Sequence, residues 1–327
     1  DGLALQLSAD AQGVWATSLP AEIEVQWREA WPDLIPINDL SYALSAVREE
    51  SGWELQFERA QVHYAGVTGR ARGTVAFPKG GRPILQMEAF AEGPIAPSRQ
   101  FWVATKMSPA AIRWLEQALD NGQLKSAEMF YRGPPKRWPF KGKQGRFELD
   151  MAGEGIDLDY HPEWPTAKQL SAKARIVNRR LIVDQARGTV EGVAASASGE
   201  IPSFRDPLLQ LQIAGGGDAG DLLGFLKKSP LQHSHGSLLI GMEASGAVKG
   251  SARLQIPLKS GERGAQLDGQ LDLDGVDFRD AKWTVRLQDV RGPAQFTLNG
   301  FDAPALNVLV GEDRAQLGLA MGPFTGD

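Results

Sequence analysis

The chain contains no cysteine, which excludes disulfides, thiolate nucleophiles and every zinc site built on sulfur. It has only four histidines, His63, His161, His233 and His235, so a nitrogen-ligated metal has little to draw on. No apolar run is long enough to cross a bilayer as a helix. The formal net charge is -5, and a protein of that sign is repelled by a phosphate backbone, which argues against general nucleic-acid binding. Neither a G-x-S-x-G elbow nor a P-loop is present. The sequence opens on Asp1 with no charged-then-apolar targeting segment behind it, so it reads as a processed or excised piece of something larger.

Strict alternation of apolar and polar residues is what dominates instead. In AQLDGQLDLDGVDF, Leu267, Leu271 and Leu273 alternate with Asp268, Gln270, Asp272 and Asp274. A period of two points one set to each face of a strand. Phe147, Leu149 and Met151 repeat the pattern, as do Leu254, Ile256 and Leu258, and it recurs near both ends with Leu3, Leu5, Leu7 and Leu317, Leu319, Met321. Turn clusters such as PKGGRP, AGEG, KSGERG and NGFD separate the runs. The pattern predicts antiparallel strands and hairpins with one apolar and one wet face. Helices are the exception. SPAAIRWLEQALDNG offers Ser108 as N-cap, Pro109 at the first position and Gly122 as a stop, with Ala111, Ile112, Leu115, Ala118 and Leu119 on one stripe. A second, short helix is expected in DLLGFLKK, ending before Pro230.

Four local features invite a chemical reading. Gly215-Gly216-Gly217-Asp218-Ala219-Gly220 matches the dinucleotide fingerprint G-x-G-x-x-G. The preceding strand alternates Leu209, Leu211 and Ile213 with glutamines, the following helix is short, and no strand-helix-strand unit repeats nearby, so a glycine hinge before a capping helix is the favoured reading. His233 and His235 have H-x-H spacing, but a third ligand would have to come from afar, and a solvated turn is the simpler account. RGPPKRWPFKGKQGR gathers Arg132, Lys136, Arg137, Lys141, Lys143 and Arg146 around Trp138 and Phe140. Such a cluster can grip anionic head groups, although its prolines and glycines favour an exposed loop with solvated charges. Nine tryptophans and abundant acids leave a glycosidase imaginable, but the acids mostly occupy the polar half of alternating strands. No feature gives positive support for an enzyme, and the chain is read as non-catalytic, with no cofactor.

One-faced strands must cover their apolar side with a second sheet, helices, lipid or an apolar ligand. Two helices are too few for so many strands. A sandwich and a transmembrane barrel both fit the alternation, the barrel less well because of the helices and the scarcity of tyrosine. A curved sheet whose apolar face lines a groove for acyl chains fits too.

The segments FWVATKMSPAAIRWLEQALDNGQ and RGPPKRWPFKGKQGRFELDMAGEGIDLDYHPEWPTAKQLSAKARIVNRRLIVDQARG resemble the central part of the YhdP proteins in the AsmA-like family of Gram-negative bacteria. The likeness rests on the aromatic stretch before the helix, Trp114-Leu115 within it, the WPF of residues 138 to 140 before a Gly-x-Phe strand, the Trp164-Pro165 turn, and DLLGFLKKSPL. It runs over roughly residues 85 to 300 in motif order. The resemblance implies the periplasmic part of an inner-membrane-anchored protein, a bridge of repeated β units that carries phospholipid toward the outer membrane in a hydrophobic groove. On this reading the fold is mainly β, an elongated, curved antiparallel sheet with a few short helices. Its units are expected at 1–100, 101–215 and 216–327, the last two each opening on a helix. Both membranes are reached through segments outside this chain, and nucleic acid is not a partner. The expected groove lining is the apolar half of the strands: Phe147, Leu149, Met151, Leu209, Leu211, Ile213, Leu254, Ile256, Leu258, Leu271, Leu273, Val285, Leu287, Phe296 and Leu298. The alternative is a β scaffold that supports an envelope assembly without binding lipid.

Overall fold

The computed structural model describes residues 5–18, 21–27, 31–230, 241–259, 264–281 and 284–322. Leu3 and the His233/His235 pair lie outside these. Contacts divide the chain into two compact units, the first made of residues 1–156 and 173–181, the second of 157–172 and 182–327.

In the first unit the strands are β1 (Leu5–Ala9), β2 (Gly13–Ser18), β3 (Ala21–Trp27), β4 (Trp31–Glu49), β5 (Gly52–Tyr64), β6 (Val67–Pro78), β7 (Ile84–Pro94) and β8 (Gln123–Gly133). β9 (Arg146–Leu158), β10 (Ala167–Val177) and β11 (Arg180–Val190) contribute residues to both units. The second unit continues with β12 (Val193–Ile201), β13 (Leu208–Asp218), β14 (Met242–Pro257), β15 (Gln266–Asp280), β16 (Val285–Thr297), β17 (Phe301–Val310) and β18 (Asp313–Met321). From β4 to β9 and from β12 to β18 each strand pairs antiparallel with the next, while β4 pairs with both β2 and β3. The fold class is therefore the expected one, mainly β and antiparallel with a few short helices.

The meander follows from the turns. Ala65-Gly66 and Glu191-Gly192 each place two successive residues at positive φ, at 45° and 83° and at 48° and 86°. That is the mirror-image turn whose twist matches a two-residue hairpin. Between β7 and β8 run α1 (Ile95–Ser98), two 3-10 turns and α2 (Pro109–Ala118). α2 starts as its sequence dictates: the Ser108 hydroxyl accepts from the Ala111 N–H at 3.2 Å, with Pro109 in the first turn. Its predicted stripe turns inward, Ala118 being buried, while Trp114 on the other side is exposed.

α3 (Ala219–Lys227) corrects the hinge expected at the triple glycine. Gly215, Gly216 and Gly217 lie inside β13, opposite Gly250, Lys249 and Val248, and the helix begins directly afterwards. Tight strand approach explains the first two, since a Cβ on Gly215 would stand 2.6 Å from the Ala194 carbonyl oxygen and one on Gly216 2.9 Å from that of Val248. These glycines are consumed by a sheet ladder and form no phosphate cradle. Asp218 then does double duty: one carboxylate oxygen caps α3 through the Gly220 N–H, and the other accepts from Gly246 N–H, both at 2.8 Å. Gly246 marks the bulge of β14, so the carboxylate ties the helix start to it.

Candidate functional site: the apolar faces

Register turns the alternation into continuous apolar rows. In the first unit one row runs Leu7, Ala16, Leu44, Phe57, Gly73, Met87, Tyr131, Phe147, each directly opposite the next. It crosses eight strands, a path of about 34 Å at roughly 4.8 Å per strand step. The adjacent row joins Tyr42, Ala60, Ala71, Ala89, Met129 and Leu149, and the next joins Leu40, Val62, Gly69, Ala91, Ala127 and Met151. A bulge at Glu58 shifts the phase of β5, so that Phe57 and Ala60, three positions apart, share one face.

The second unit repeats the device. Ala197, Ile213, Ala252, Gly269, Phe296, Phe301 and Met321 form one row, and Gly199, Leu211, Leu254 and Leu267 another. Between them runs a polar row on the opposite face, Ser198, Gln212, Arg253, Asp268 and Thr297. Glycine sets the relief of the apolar floor. A Cβ on Gly269 would meet three atoms of the Phe296 ring at 2.1 to 2.5 Å, so that ring lies flat over the neighbouring strand.

The predicted lining residues fall into four groups. Leu271, Leu273 and Leu287 pack with Val248, Val276, Val290 and Leu306 in a cluster that α3 covers through Ala219 and Leu222. Phe147 and Leu149 belong to a second cluster with Tyr131, Phe140, Met87 and Trp138. Leu209, Leu211, Ile213, Leu254, Ile256 and Phe296 lie outside both clusters and are half-buried, as are Met151 and, just past β16, Leu298. Leu258 and Val285 stand at strand ends, 47% and 45% exposed. The open, half-covered run is thus concentrated on β13 and β14. The apolar rows also carry Leu44, Leu55, Val62 and Leu85 in the first unit and Leu267 in the second, which belong to them as much as the predicted residues do.

Other candidate chemistry dissolves. No group of three His, Asp or Glu residues able to hold a metal occurs among the described residues. His63 sits 3.3 Å from Asp39, and His161 Nδ1 accepts from the Glu163 N–H in a turn. A shallow hollow of about 630 Å³ opens in the second unit, but Ser196, Gln212, Ser251, Arg253 and Gln270 of the polar row and its neighbours dominate it. Small-molecule sites are mostly apolar with a few convergent polar groups, and this hollow is not built that way. Burial holds the Tyr131 and Tyr160 phenols above their ordinary value of about 10, at about 12. The Tyr131 hydroxyl and the Trp138 indole nitrogen are buried without a hydrogen-bond partner. No helix among the described residues is long and apolar enough to cross a membrane.

Fold and faces together define a class: antiparallel β proteins whose units each carry an apolar sheet face that their own helices cover only in part. Within that class the chain belongs to the YhdP family, whose model, described as YhdP protein, matches residues 1–323. Among curated proteins, it is similar to the intermembrane phospholipid transporter YhdP of Escherichia coli (strain K12), at 22% identity over 256 residues. The matched region covers 77% of this chain and 20% of that relative, so the chain spans about a fifth of the relative's length. No solved structure matches it significantly.

Proposed function

We propose that this chain is a segment of a periplasmic bridge between the inner and outer membranes of a Gram-negative bacterium, in which phospholipid acyl chains move along the apolar face. The observation that carries this reading is the unbroken apolar row from Leu7 to Phe147, matched in the second unit by the row from Ala197 to Met321. Membership of a family with a phospholipid transporter supports it.

Moving a lipid through water exposes its tails at about 0.8 kcal/mol per CH₂, so a chain of about fifteen methylenes faces a cost near 12 kcal/mol. A continuous apolar floor removes that barrier. Dispersion contacts are individually weak and non-directional, so no single rung holds the chain and it can slide. The first unit's row, at about 34 Å, is comparable to the hydrocarbon thickness of a bilayer, about 30 Å, and so is longer than any one acyl chain. The role is that of a carrier surface rather than a catalyst.

The test is lipid extraction and native mass spectrometry of the chain purified from lipid-containing cells. Co-purifying phospholipid that is lost in Ile256→Asp, with β circular dichroism unchanged, supports the reading. A folded chain that neither carries phospholipid nor takes it up from vesicles refutes it in favour of a scaffold.

A further inference from the structure

The strands of the first unit end differently on their two sides. At one end lie the turns joining β4 to β5, β6 to β7 and β8 to β9. Lys79 and Arg82 occupy the second turn, and Arg132, Lys136, Arg137, Lys141 and Lys143 lie in or beside the third. All seven are exposed, and none forms an ion pair with a described residue. The acids at this end are Asp10 on the turn between β1 and β2, Glu49 and Glu50 on the first turn with Glu54 just beyond it, and Glu148, which Arg146 already engages with two hydrogen bonds of 2.9 Å. At the other end Arg99 pairs with Asp120 and Lys125 with Glu154, while Lys106 and Arg113 are exposed. Two strand steps separate the second and third turns, about 10 Å, which is about one screening length at moderate salt. The cations therefore act on an anion together.

The third turn is also held in place. Phe140, 2% exposed, packs its ring 5.3 Å from that of Tyr131, and Trp138 sits 5.3 Å from Phe147. The Arg179 guanidinium donates to the Pro139 carbonyl at 3.0 Å. The aromatic half of RGPPKRWPFKGKQGR thus clamps the segment onto the apolar row while its cations stay in solvent. Within this clamp are two buried polar groups with no hydrogen-bond partner, Tyr131 Oη and Trp138 Nε1. Solvated charge is the simpler fate for a loop like this, but an anchored, unneutralised, one-sided array beside an apolar face goes further.

We propose that this basic rim holds the phosphates of phospholipids whose chains rest on the apolar face of the same unit, and that it favours anionic over zwitterionic head groups. The proposal rests on the lipid-carrying reading above. Its test uses the full chain and a variant carrying Lys136→Gln, Arg137→Gln, Lys141→Gln and Lys143→Gln, each incubated at low salt with vesicles of equal phosphatidylglycerol and phosphatidylethanolamine. Bound lipid is then identified and counted by mass spectrometry. The expected result is enrichment of phosphatidylglycerol by about tenfold in the unmodified chain, a head-group preference of about 1.4 kcal/mol in total. The variant should lose that enrichment, and with it the excess phosphatidylglycerol, while its melting temperature stays unchanged. Equal lipid binding without head-group preference, or a preference the variant keeps, overturns the rim and leaves the apolar face standing. Saturable binding of inorganic phosphate with no lipid preference would reassign the rim to a free anion and also overturn it. No bound lipid in the unmodified chain defeats the underlying reading instead.

Discussion

Leu254→Asp is the substitution whose consequences the structure defines most sharply. Leu254 lies between Leu211 and Leu267 on the open apolar run, half-buried and outside both packed clusters. Without lipid its loss costs little, because a carboxylate there can remain in water; substitutions away from core, cap or network features usually stay within about 0.5 kcal/mol, and a half-covered site should cost about 1. With lipid the situation changes. A charged group on the floor forces the chain to lift from roughly two or three methylenes, which at about 0.8 kcal/mol each is near 2 kcal/mol, or about thirtyfold in retention. Burying the carboxylate instead costs more. The control is Gln255→Asp, one residue along on the polar face opposite Gln266. The assay is transfer of a fluorescent phospholipid from vesicles, with thermal melting of each variant alongside. Leu254→Asp should reduce retained lipid about thirtyfold with a small melting shift, and Gln255→Asp should do neither. Equal loss in both variants, or loss tracking only with unfolding, would refute the face assignment.

Three further outcomes follow from particular contacts. Gly269→Val should displace the Phe296 ring that now lies 2.1 to 2.5 Å from where its Cβ would be, costing about 1–3 kcal/mol as overpacking, readable by urea denaturation. Asp218→Ala removes both the α3 cap and the bond to Gly246. It should cost about 1–2 kcal/mol, with faster amide exchange confined to α3 and the β14 bulge. The raised phenols of Tyr131 and Tyr160, at about 12, contribute stability that is fully present below pH about 10, where the unfolded tyrosine begins to ionise. That stability is lost as pH climbs through the folded values, so the denaturation midpoint should fall between pH 10 and 12, and Tyr131→Phe should flatten the fall.

Much of the fold was written in the period of two. Where strands carry leucine, valine or phenylalanine on every second position, as in Leu267, Leu271 and Leu273, the face is visible in the sequence itself. It is hidden where glycine and alanine hold the apolar positions. β6 alternates Val67, Gly69, Ala71, Gly73 and Val75 with Thr68, Arg70, Arg72 and Thr74, and its floor residues carry almost no hydrophobic signal. Bulges hide it too, since the extra residue at Glu58 shifts the phase of β5 midway. The start of α2 was legible because a cap and a proline are local chemistry. The triple glycine misled because a close-packed ladder and a hinge call for the same residue, and only the register with β12 and β14 distinguishes them. Which apolar residues α3 covers could not be read at all: Leu273 and Leu254 have the same alternating neighbourhood, and only the placement of Ala219 and Leu222 separates them. Phe140 shows the same limit, a core ring within a segment whose composition reads as solvent-exposed.

The central claim, that the lipid lies on one face, is tested most directly by a photo-crosslinking side chain placed in turn at residues 209 to 213 of β13, with the products analysed for attached phospholipid. Because Leu209, Leu211 and Ile213 line the apolar face while Gln210 and Gln212 face the polar side, the account predicts lipid adducts at 209, 211 and 213 and none at 210 and 212. Adducts of equal yield at all five positions, or at the two glutamines alone, would contradict it.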